Sequence, residues 1–200
     1  MKGSLIIIGF FIVGVLVGVW KLIPEDFFSD HISSYVLYVL MFLVGLSIGY
    51  DKELMQALRR TNLRILWVPF ATIIGTLGGT ALVGVFLEDW TVFESMAVGA
   101  GFGYYSLSSI FITEYKGASL GTIALMSNII REIIALLATP LLLKWFGRLA
   151  PISVAGATSM DTALPIITQF SGRDYVLIAI THGIVVDLSV PFLVTFFCSI

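Results

Sequence analysis

The chain has 200 residues, of which 58% are hydrophobic and only 12% charged, and its formal net charge is −2. A soluble domain carries about 25% charged residues, so this composition excludes one, and a charge this close to zero offers nucleic acid nothing to bind. The single cysteine, Cys198, supports neither an intramolecular disulfide nor a metal cluster.

The apolar residues fall in long runs. A hydrocarbon core about 30 Å thick requires roughly 20 apolar residues per helix. The alternating segments of about 10 residues that mark a membrane barrel do not occur. The fold class is therefore all-α, a polytopic membrane helix bundle built on about seven hydrophobic segments: 4–22, 32–50, 65–87, 92–112, 119–143, 151–169 and 175–198.

The first segment follows Lys2 and ends in Lys-Leu-Ile-Pro without a small-x-small cleavage site, so it reads as a retained span. After the second comes a polar linker, 51–64, carrying Lys52, Arg59, Arg60 and Arg64; the connectors 24–30 and 88–94 are acidic. The positive-inside rule places the linker and the N-terminus in the cytoplasm of an inner-membrane, multi-pass protein. Seven crossings put the C-terminus outside, together with Lys144 and Arg148, against the rule. A re-entrant 92–112 would reverse every later connector; seven crossings is the topology adopted.

In the third segment Gly75 and Gly79 form a small-xxx-small pair, a packing device that lets helix backbones approach. The fourth segment sets Gly99, Gly101 and Gly103 at alternate positions, followed by Tyr104, Tyr105, Ser106, Ser108 and Ser109. Each glycine weakens a helix by about 1 kcal/mol. The pattern predicts a broken stretch lining a cavity, the alternative being a tight crossing with hydroxyls bonded to the preceding turn.

The fifth segment carries Asn128, Arg131 and Glu132 among aliphatic residues. An ionisable side chain at mid-membrane costs about 2.5–3.5 kcal/mol on insertion scales and marks pathways more often than structural ion pairs. Asn128 and Glu132 share a helix face, whereas Arg131 lies about 100° round. The sixth segment leads through Ser159 to Asp161, with Pro165 four residues on. Proline cannot donate to the Asp161 carbonyl, and freed carbonyls beside a carboxylate suit a cation or a proton; the plainer role for Asp161 is a helix N-cap. The last segment holds His182, a proton-relay residue type or an interfacial one, and Asp187, a further buried acid or a helix-end residue. No nucleophile–base pair, zinc motif or phosphate loop argues for an enzyme, a cofactor or a metal.

Together, Gly101 to Ser108, Thr113-Glu114, Asn128, Arg131-Glu132, the run Gly156-Ala-Thr-Ser-Met-Asp161 with Leu164-Pro165, and His182-Gly183 resemble the lysine exporter family of bacterial membrane proteins (LysO-type), once known only as a domain of unknown function. The resemblance implies export of L-lysine and toxic lysine analogues from the cytoplasm, with essential intramembrane acids at Glu132 and Asp161. Tyr105, Ser106, Asn128 and Ser159 would receive the substrate's carboxylate and amine. Tyr104 stands where the family pattern leads us to expect Trp, and Asp187 where it leads us to expect an apolar residue, so Asp187 inherits no role. The chain resembles the C-terminal two-thirds of full-length members, which implies either a short three-span partner protein or a homo-oligomer, with 65–200 as a five-helix repeat after the two spans of 4–50. Proton exchange is the expected coupling. The rival expectations are a Na⁺/proton antiporter using the same two acids, and a subunit of a split transporter.

Overall fold

The structure, a computed structural model, describes residues 63–200 continuously and before them isolated positions between Val13 and Gln56. The segments 4–22 and 32–50 and the linker 51–64 thus lie largely outside the described residues. The chain divides into two compact units, Met1–Leu43 and Val44–Ile200. In the first, Val13, Leu16, Val17, Val19, Tyr35, Val39 and Phe42 are helical; in the second, so are Leu46, Tyr50, Lys52 and Gln56.

From residue 63 onward the second unit is all helix. A 3₁₀ turn, Leu63–Leu66, leads into α1 (Trp67–Gly84), followed by α2 (Val92–Gly99), α3 (Tyr105–Lys116), α4 (Ala118–Phe146), α5 (Ala150–Ala155), α6 (Leu164–Ser171) and α7 (Val176–Ser199). Further 3₁₀ turns occupy Gly156–Met160 and Arg173–Tyr175. Among the described residues, three helical stretches are long and apolar enough to cross a membrane: Trp67–Gly84, Ala118–Phe146 and Arg173–Ser199. Their outward side chains, among them Trp67, Phe70, Leu137, Trp145, Phe192 and Phe196, are large, apolar and exposed. That surface is unfavourable in water and suits lipid.

Local sequence explains the boundaries. Pro69 sits in the first turn of α1, where its missing N–H leaves no hydrogen bond unmade. α2 opens on a capping box: the Thr91 hydroxyl accepts from the Glu94 amide at 3.2 Å, and the Thr91 amide donates to the Glu94 carboxylate at 2.9 Å. α3 runs to Lys116, past the end of the fourth hydrophobic segment at 112, so Glu114 and Lys116, which fall between the fourth and fifth segments in the sequence, belong to its last turn.

α7 is the hub. It touches α1, α2, α3, α5, α6 and the 156–160 turn, and its buried face runs from Ala179 to Cys198. Small residues set the closest approaches: Ala135, Ala155, Ala163 and Ala179 form one core with Ile152 and Ile167. The expected close packing at Gly75 and Gly79 is not seen, since a Cβ there would meet nothing within 4 Å among the described residues. α1 instead meets α2 through Gly84 against Ser95 and Thr80 against Gly99.

Candidate functional site: a carboxylate-lined cleft at two broken helices

Two of the sequence segments are discontinuous. The alternating glycines of the fourth do break it, into α2 and α3 around a turn in which Phe102 has φ 45° and Gly103 φ 93°. The sixth breaks into α5, the 156–160 turn and α6. The breaks meet: the Ala157 amide donates to the Phe102 carbonyl at 2.9 Å. Only glycine fits at 156, because its φ is 66° and a Cβ would come to 2.1 Å from that carbonyl oxygen.

Backbone freed from helical bonding inside a membrane needs partners, and α4 supplies them. Asn128, 3% exposed, accepts from the Gly103 amide at 2.7 Å and donates to the Ala124 carbonyl at 2.8 Å. Arg131 donates through Nε to the Val154 carbonyl at 2.9 Å and through Nη2 to the Ser153 carbonyl at 3.1 Å. Its guanidinium carbon also lies 5.8 Å from the Phe102 ring centroid. Its cation therefore answers the last carbonyls of α5, a favourable end for positive charge. One turn apart on α4, Asn128 holds one break and Arg131 the other.

Where the breaks meet, a cleft of about 230 Å³ opens, walled by residues 103–106, 157–158 and 160–162, with Glu132 of α4 and Asp187 of α7. Three carboxylates thus share one space, and no Lys, Arg or His is among the described residues that line it. Asp161 and Thr162 are exposed, Glu132 half-buried and Asp187 buried. Thr162 joins the first two acids: its hydroxyl donates to Glu132 Oε1 at 2.6 Å and lies 3.4 Å from Asp161 Oδ1, and its amide donates to the same Oδ1 at 2.5 Å. Asp161 is not an N-cap; Ala163 occupies that position without a side-chain bond. Nor is the carbonyl of Asp161 left free by Pro165, because the Leu164 amide donates to it at 3.1 Å.

Opposite in character is the start of α3. Tyr104 precedes it with no side-chain cap, so the first-turn amides, Tyr105 and Ser106 among them, are available to an anion. The cleft thus sets carboxylates, which suit cations, beside an uncapped helix start, which suits an anion.

Of the residues singled out in the sequence, Glu132, Asp161, Tyr105, Ser106 and Asp187 line this cleft; Asn128, Arg131, Ser159 and His182 do not. Ser159 and His182 form a separate buried joint. Ser159 Oγ donates to the Ala179 carbonyl at 2.9 Å and lies 3.1 Å from His182 Nδ1, while His182 Nε2 lies 2.9 Å from Thr72 Oγ1. This chain ties α1, the 156–160 turn and α7 together. Nothing in the sequence marks Thr162, since a hydroxyl beside an acid has no pattern of its own; only the approach of α4 gives it a second acid to bridge.

The profile of the family described as "Lysine exporter LysO" matches residues 8–198. The Lysine exporter LysO of Escherichia coli (strain K12) is 34% identical over 196 residues, which is 98% of this chain but 64% of that protein. The chain thus spans just under two-thirds of that relative's length. A Putative lysine exporter of Haemophilus influenzae is 31% identical over 188 residues, 94% of each chain. No solved structure gives a significant match.

Proposed function

The chain belongs to the lysine exporter family, and from that premise we propose that it exports L-lysine, and toxic lysine analogues, from the cytoplasm across the inner membrane in exchange for protons. The observation that carries the reading is the cleft's division of labour: Glu132 and Asp161 joined by Thr162, with no cation among the described lining residues, beside an uncapped helix start. Lysine has two ammonium groups and one carboxylate. The ammonium groups go to Glu132 and Asp161, which Thr162 joins, and the carboxylate to the uncapped start of α3 at Tyr105 and Ser106.

Lysine leaves the cell against a negative-inside potential that opposes it by about 2.3 kcal/mol per 100 mV per charge. An entering proton offsets that work. Glu132 and Asp161 hold the ammonium on the way out and protons on the way in, with the Thr162 hydroxyl between them. Asn128 and Arg131 keep both breaks open, and His182 with Ser159 fixes α7 against them. The Na⁺ alternative would use the same two acids.

Glu132→Gln and Asp161→Asn test the assignment in cells made sensitive to thialysine. Each variant should reach the membrane at the parental level and lose resistance. Resistance unchanged in both would refute it.

A further inference from the structure

Asp187 stands apart from the other two acids. It is 8% exposed, it lines the cleft, and no hydrogen bond to its carboxylate is present among the described residues. Glu132 and Asp161, by contrast, are both engaged by Thr162. Pro191, four residues on in α7, has no N–H to give to the Asp187 carbonyl. A carboxylate with no hydrogen bond among the described residues is therefore buried at a space whose described lining holds no Lys, Arg or His. A buried, unpaired carboxylate is costly, and the cost is removed by a bound cation or a proton.

Three carboxylates exceed what lysine requires. Lysine brings a carboxylate of its own, which the acids repel. The same carbon chain without that carboxylate, an ammonium at each end, matches the acids better. We infer that Asp187 is the receptor for a second ammonium group and that it extends the cleft's ligands to α,ω-diammonium ions. One ammonium sits at the Glu132–Asp161 pair and the other at Asp187. This deepens the export reading, on which it rests for the cleft being the substrate site.

The test is direct binding of labelled 1,5-diaminopentane, and separately of labelled lysine, to the purified full chain in detergent. Wild type should bind the diamine. Asp187→Asn and Asp187→Leu should each weaken it by about tenfold or more while holding lysine within about threefold, and the retained lysine binding reports that the variants are folded. The inference is overturned if wild type does not bind the diamine, if both variants bind it as wild type does, or if both lose the two ligands equally. Diamine binding without lysine binding would instead remove lysine as the substrate, and the variants' loss of diamine would still support the role of Asp187.

Discussion

Gly156→Ala puts one methyl group into the crossing of the two breaks. The alanine must hold φ 66°, which costs a residue with a Cβ about 1–2 kcal/mol. Its Cβ would lie 2.1 Å from the Phe102 carbonyl oxygen, so the two chains must part. Parting them breaks the 2.9 Å bond from the Ala157 amide to that oxygen and leaves a buried donor unpaired, at about 1–3 kcal/mol. The sum is ~2–5 kcal/mol, or a fall in Tm of roughly 4–20 °C for a chain of this length. Gly147→Ala is the control. Gly147 also has a positive φ, 84°, but nothing lies within 4 Å of its Cβ position, so only the conformational cost of about 1–2 kcal/mol applies. Thermostability in detergent, read by size-exclusion chromatography after heating, should separate the pair by several degrees. Thialysine resistance should be lost in Gly156→Ala and kept in Gly147→Ala. Equal Tm shifts, or full resistance in Gly156→Ala, would show that the crossing does not hold the site together.

Asn128→Ala should cost about 1–2 kcal/mol, since it strands the Gly103 amide and hydrogen bonds between membrane helices reach at most about 1.7 kcal/mol; thermostability would fall and export with it, while Asn128→Asp, which keeps the accepting oxygen, should recover part of both. Thr162→Val removes the hydroxyl that bonds Glu132 at 2.6 Å, a bond to a charged group worth about 1.5–3 kcal/mol. Lysine binding should weaken by roughly tenfold or more in purified protein, and Thr162→Ser should restore it; a serine variant as weak as the valine one would assign the effect to packing.

Much of the fold is legible in the sequence because in a membrane the physics is local. Hydrophobic length places α1, α4 and α7, as the backbone must satisfy itself within each span. The break at 100–104 is legible too, because three alternating glycines weaken a helix wherever they stand. The end of α3 is not, since Glu114 and Lys116 look like connector residues until α3 is seen to run to Lys116. Family membership is likewise in the sequence, carried by Arg131-Glu132 and the run to Asp161.

What the sequence leaves undecided is which polar residues share a space. Asn128, Arg131 and Glu132 fall within five positions of one helix, yet a helix turns its neighbours about 100° apart. In three dimensions Asn128 and Arg131 brace backbone and only Glu132 enters the cleft. Asp187, 55 positions from Glu132, joins it there because α7 passes the crossing of the breaks. Composition and hydropathy depend on each residue's own transfer energy and so can be read one position at a time; a site depends on distances between elements, which only packing sets.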